Sequence, residues 1–324
     1  MAKFSIHNAL AIFSAVLLLG GAAPGATKKG ASSKPAARKP VPAPTPAPPP
    51  LAPGELPLAA KSVILLDAKT GDVLYEKAPD EMQYPASATK ILTALLVLEQ
   101  GDLDRHVTIQ PEDTKVEPSA LEFKPGEEYT RRQLLFALLL KSANDVALAL
   151  ARDNAGNVTA FCEKMNRRAE ELGAKGSHFT NPHGLHNPHH FTTARDLALI
   201  ARFAMQQPLF REIVATPQIG MARGGEWVVL KNHNKLLAML PGCIGVKTGY
   251  TYPAQQVLVS SAIRAGREAI SVVMHSDKPG IWNDSKTLLE HAFEKLGVPA
   301  TPATPSPAPI GSPPDVPATP ALGK

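Results

Sequence analysis

Residues 91–99 read Ile-Leu-Thr-Ala-Leu-Leu-Val-Leu-Glu, without glycine or proline and apolar around every side of a helix. Such a helix has to be buried, so the chain must build a core that encloses it. Entering that core with it is Tyr84-Pro85-Ala86-Ser87-Ala88-Thr89-Lys90. Pro85 and Ser87 fall where the helix would begin, and serine is a favoured N-cap. Ser87 and Lys90 are three apart and share a face. A hydroxyl is a poor nucleophile until something takes its proton. A lysine amine does so only when burial or a nearby cation lowers its pKa. The start of a buried helix supplies the burial and a positive dipole end that favours an oxyanion. Alone, S-x-x-K is more commonly a capped helix with a solvated lysine, and two later segments must decide.

The chain has 324 residues, 44% hydrophobic and 19% charged, enough for one large domain or two smaller ones. The formal charge of +5 matches the excess of Lys and Arg between Lys28 and Lys39, so it is not read as a nucleic-acid surface. Instead that segment reads as a solvated linker able to touch anionic envelope polymers. Cys162 and Cys243 form no C-x-x-C pair and read as two free buried thiols. Residues 1–23 combine Lys3, an apolar stretch over 9–19 and small residues from Gly20 to Ala23, the pattern of a signal peptide. An uncleaved anchor is the alternative, although the apolar stretch is short for a membrane span. No cysteine follows it, which argues against a lipoprotein. Residues 24–58 and 298–324 are rich in Pro and Ala and read as extended spacers without a core. The folded body is expected over 59–297. Export to the periplasm or cell envelope follows, with no firm membrane anchor after cleavage.

Within the body, 62–67 and 73–76 read as a strand pair around a 68–72 turn. Helices are predicted at 130–140, 145–152, 159–172 and 194–205, the last capped by Thr192 or Thr193. A short strand falls at 226–230 and three adjacent strands at 245–251, 257–264 and 268–275, before a closing helix at 283–295. Strands at both ends with helices between them predict an α+β fold. One antiparallel sheet is assembled from both ends, flanked by helices, with a helical lobe inserted.

The second chemical segment is Lys141-Ser142-Ala143-Asn144-Asp145, a break between two apolar helices that would aim Ser142 and Asn144 at one spot. The competing reading is a simple cap of the next helix. The third is Gly245-Val246-Lys247-Thr248-Gly249-Tyr250-Thr251, a strand offering a cation, a hydroxyl and bare backbone at Gly249, where a substrate can approach closely. Its competitor is a hairpin strand with a surface lysine. S-x-x-K, S-x-N and K-T-G in this order form the set found in penicillin-binding proteins and class A β-lactamases. His183, His186, His189 and His190 crowd one Asn- and Pro-rich stretch and read as a structural loop, with no metal assigned. Trp227 and Trp282 read as packing residues in preference to a glycan platform.

With these motifs the chain resembles the D-alanyl-D-alanine carboxypeptidases, low-molecular-mass penicillin-binding proteins of serine peptidase family S11. The resemblance extends through Met165-Asn166, residues 179–185, 193–196 and 232–237. It implies that Ser87 attacks the carbonyl between two terminal D-alanines of a peptidoglycan stem peptide, with Lys90 as general base. It implies that Ser142 relays a proton to the leaving amine and that Asn144 positions Lys90 or substrate. Lys247 would supply positive potential, Thr248 would bond the terminal carboxylate, and the N–H groups of Ser87 and Tyr250 would form an oxyanion hole. β-Lactams would acylate Ser87, and no cofactor is required. Ala254-Gln255 stands where relatives commonly have Ala-Gly, and Ile281 follows Gly280 where many carry Arg, leaving Lys278 as a substitute. The rivals are a D,D-endopeptidase on the same site and a non-catalytic peptidoglycan-binding protein. A class A β-lactamase is disfavoured by the lack of an E-x-x-L-N segment.

Overall fold

The computed structural model of the chain describes residues 54–299, apart from residue 117. The expected signal segment, most of the linker and nearly all of the tail therefore lie outside the described residues. β1 (Ser62–Asp67) and β2 (Val73–Lys77) open the fold. A 3₁₀ turn (Ala86–Thr89) runs into α1 (Lys90–Gln100). β3 (His106–Thr108) and β4 (Glu128–Thr130) pair as a small ribbon. α2 (Arg131–Phe136) continues into a π turn (Ala137–Lys141). α3 (Asn144–Ala155), α4 (Val158–Glu171), α5 (Ala194–Ala204) and α6 (Pro208–Ala215) follow. β5 (Gln218–Arg223), β6 (Glu226–Lys231) and α7 (Leu236–Met239) lead to β7 (Cys243–Thr251), β8 (Gln255–Arg264), β9 (Arg267–Ser276) and α8 (Gly280–Lys295).

The main sheet is antiparallel in the order β2-β1-β9-β8-β7, so its centre is made where the two ends of the body meet. β1 is buried along its whole length because both faces of the sheet are covered. Ile64 and Leu66 enter the core shared with α1 and α5, while Val63 and Leu65 enter the core beneath α8. Every residue of α1 from Lys90 to Val97 is buried, which accounts for the lack of a polar face in its sequence. Burying each of its leucines contributes roughly 1.5–3 kcal/mol. Gly101, at φ 73°, ends it.

Thr193 caps α5 by accepting from Asp196 N, and Thr130 with Gln133 makes a capping box on α2. Sequence reading left out β3, β4, β5, α6 and α7. These are short or interrupted elements whose formation depends on what they pack against. Both cysteines are free. Among the described residues no helix is long and apolar enough to cross a membrane. Gln255, where relatives carry glycine, adopts φ 53° and donates its side-chain amide to Tyr252 O, so the β7–β8 turn is kept without glycine.

Candidate active site

Ser87 sits in the 3₁₀ turn before α1, and α1 itself begins at Lys90. Ser87 therefore does not cap the helix, contrary to the sequence expectation. The reason is local. Ala86 takes a left-handed φ of 46°, which tightens the turn ahead of the helix. Lys90 is completely buried. Its Nζ lies 3.2 Å from Ser87 Oγ, 2.6 Å from Asn144 Oδ1 and 2.7 Å from the carbonyl of His183. Burial, then the Lys247 charge, hold its pKa well below the ordinary lysine value, and Asp145 offsets them in part. A neutral amine has two N–H groups and one lone pair. Asn144 Oδ1 and the His183 carbonyl can only accept, so in the neutral form they take both hydrogens and the lone pair is left for the hydroxyl of Ser87.

Ser142 ends the π turn in a left-handed conformation, φ 63°, and is followed by Ala143 at the N-cap of α3. Neither Ser142 nor Asn144 caps that helix with its side chain. Asn144 instead donates to Pro118 O while accepting from Lys90. Lys247 is no surface lysine: it is buried, with Nζ 3.0 Å from Ser142 Oγ and 3.0 Å from Thr248 O. Burial brings its pKa down to about 7.

Gly249 lets β7 close on the serine turn, since a Cβ there would stand 2.9 Å from Ser87 N and 3.1 Å from Ala88 N. Thr248 is half-buried and Tyr250 is 55% exposed beside it. The structure thus brings Ser87, Lys90, Ser142, Asn144, Lys247 and Gly249 into one site, with Thr248 and Tyr250 on the bounding strand. Gly249→Val is expected to slow acylation by a β-lactam at least about tenfold, because β7 must retreat from the serine turn; stopped-flow acylation kinetics check it.

Sequence reading missed the support of the serine turn. Thr180 N donates to His190 Nδ1 at 3.0 Å, so the neutral ring carries its proton on Nε2 and gives it to Thr89 Oγ1 at 2.8 Å. Thr89 Oγ1 in turn donates to Ala86 O at 2.8 Å. Gly184, at φ 87°, is pressed so close that a Cβ would fall 1.8 Å from Ala86 O. The 181–185 segment, which carries His183, is thus part of the site through backbone atoms, which a side-chain motif cannot announce. Asp145 accepts from Leu121 N at 2.8 Å and Val146 N at 2.9 Å, tying the 119–123 loop to α3.

Burial, with the charges of His178, Lys90 and His186, keeps His190 from protonating until about pH 3. An unfolded chain takes up that proton near pH 6.5. Between those values the unfolded state binds more protons, so stability falls as pH drops. His190→Asn is expected to show a shallower fall in Tm from pH 6.5 to 4 than the parent protein. Parallel slopes would refute the assignment.

Fold and site geometry define the class: a serine peptidase of penicillin-binding architecture. The chain belongs to the D-alanyl-D-alanine carboxypeptidase family, peptidase family S11, whose family model matches residues 49–278. It is 37% identical over 240 residues to the D-alanyl-D-alanine carboxypeptidase DacB2 of Mycobacterium tuberculosis, across 72% of this chain and 82% of the relative. A D-alanyl-D-alanine endopeptidase of Pseudomonas aeruginosa is 33% identical across 62% of this chain and 66% of its own. The crystal structure of the Streptomyces K15 DD-transpeptidase superposes with a TM-score of 0.71 at 34% identity, covering 74% of this chain and 99% of that one.

Proposed function

We propose that the protein is an exported serine D,D-carboxypeptidase that removes the terminal D-alanine from peptidoglycan stem peptides. The observation that carries this is the buried amine of Lys90, held by two acceptors, Asn144 Oδ1 and the His183 carbonyl, with Ser87 Oγ 3.2 Å away. Lys90 accepts the Ser87 proton as Oγ attacks the peptide carbonyl. The N–H groups of Ser87 and Tyr250 hold the developing oxyanion, a role supported by the close approach of β7 at Gly249. Ser142, hydrogen-bonded to Lys247, passes its proton to the departing D-alanine amine and takes in its place the proton that Lys90 received from Ser87, so that Lys90 is again neutral. Lys247 and Thr248 hold its carboxylate. That charge favours the protonated form of Lys247, so a lysine near pKa 7 when empty becomes a cation when substrate is bound. Water, activated by the same Lys90, releases the acyl-enzyme. Each step is proton transfer plus charge stabilisation, and the chain's own residues supply both.

Cleavage of the 1–23 segment, the spacer reading of 24–58 and 298–324, and a site of action in the periplasm or envelope belong to the same proposal. A β-lactam presents a strained amide to Ser87 and is expected to form a stable adduct. Intact-protein mass after benzylpenicillin, followed by incubation with a pentapeptide ending in D-Ala-D-Ala, tests the reading. One adduct and released D-alanine support it. An adduct without release moves the activity to endopeptidase, for which a relative of that name gives support. Folded protein giving neither result would leave a peptidoglycan-binding protein.

A further inference from the structure

Among the described residues the β5–β6 hairpin pairs with no other strand. Its inner face sends Met221 and Leu230 into the main core. On its outer face the pairs Gly220–Val229 and Ala222–Trp227 look away from it. Trp227 is 73% exposed and Val229 52%, which overturns the packing reading of Trp227; Trp282, by contrast, packs on the α8-side core. A Cβ on Gly220 would lie 2.4–2.5 Å from three adjacent atoms of the indole, so the ring lies flat on that glycine. Covering a strand glycine with an aromatic ring stabilises a hairpin and explains the covered face. It leaves the other indole face open to water.

The hairpin borders the acyl site. β6 packs against the π turn that delivers Ser142. Arg223 Nη1 donates to Leu121 O, in the loop held by Asp145. A shallow cavity of about 160 Å³ beside the indole is lined by Gln133 and Phe136 of α2. On the same face the pair beyond Gly220–Val229 is Gln218–Lys231, and its side-chain donors, like the Gln133 amide nitrogen in the cavity wall, have no partner among the described residues. A flat apolar face with donors along the same side suits a pyranose, whose C–H face meets the negative face of the indole while its hydroxyls reach the donors. Two apolar side chains fall well short of the area that a stable protein interface buries.

We propose that Trp227 stacks on a sugar ring of the glycan strand and holds that strand while its stem peptide enters the cleft. This rests on the peptidoglycan reading above. Calorimetry with the tetramer of N-acetylglucosamine, a probe without peptide, tests the contact separately from catalysis. Affinity is expected to fall at least tenfold in Trp227→Ala and to persist in Trp227→Tyr, with a cooperative melting transition well above the assay temperature showing that all three are folded. The preference for a glycan-borne pentapeptide over the free one, measured as a ratio of kcat/KM, is expected to fall about tenfold in Trp227→Ala. Unchanged saccharide affinity, or an unchanged ratio, would overturn the proposal. Self-association of the parent protein that Trp227→Ala abolishes would overturn it too, by assigning the face to a second copy. Because the titration does not involve Ser87, it gives the same answer in Ser87→Ala, even if the peptidase reading fails.

Discussion

Ser87→Ala is expected to eliminate covalent labelling by benzylpenicillin and to lower D-alanine release by at least about 10⁴-fold, the scale seen when a serine nucleophile is removed. The fold should survive. Ser87 lies in a partly accessible turn, and that turn is held by Thr89, His190 and Gly184, none of which uses the Ser87 hydroxyl. The Tm should therefore stay within a few degrees of the parent value. Intact-protein mass and a melting curve on the same preparation separate the outcomes. An adduct persisting on folded Ser87→Ala would place the nucleophile elsewhere.

Lys90→Met should lower acylation by about 10³-fold or more, since it removes the proton acceptor and keeps a side chain of similar length in the buried channel. Its reach extends to pH dependence. Acylation requires the neutral amine, so the rate falls as pH drops through the Lys90 pKa. The Lys247 charge is the second cause of that depressed pKa. Lys247→Met removes it, lets the Lys90 pKa rise and is expected to move the acid limb of the acylation profile to higher pH. A limb that stays in place would deny the electrostatic coupling.

The same lysines predict a stability trend. Lys247 in the fold releases its proton near pH 7, whereas in the unfolded chain it does so only above pH 10. From pH 7 to about 7.5, before unfolded cysteines ionise appreciably, the unfolded state binds more protons, so stability rises with pH. One such group contributes at most about 1.4 kcal/mol per pH unit. Lys247→Met should flatten that rise in a series of Tm measurements.

How far the sequence reaches can be judged from particular residues. The α1 run could be read as buried because it has no polar face, and β1 as a strand because its six residues hold no break. Their partners were harder to find. β5 has Gly220 in its middle and forms by pairing with β6, and α6 is a short helix of eight residues that packs against β7 and the π turn. The role of Trp227 went the other way. A tryptophan in a strand reads as core, and only the pairing register shows that it shares the outer face with Gly220. Register shifts by one residue exchange the two faces of a strand, and local composition does not fix it.

By itself the sequence determined which chemical groups are present and in what order: Ser87 with Lys90 at the head of a buried run, Ser142 with Asn144 at a helix break, and Lys247 with Gly249 on a late strand. Spacing within each motif is short, so local geometry already ties its members together. Tertiary structure decided what these groups are chemically. Enclosure of α1 lowers the pKa of Lys90, Asn144 arrives 54 residues later to accept from its amine, and the His183 carbonyl accepts from it from a loop 93 residues away. A pKa depends on burial and on charges brought close through space. The backbone contacts of Gly184 and the His190–Thr89–Ala86 chain likewise exist only once distant segments meet, because they are made by atoms that every residue shares.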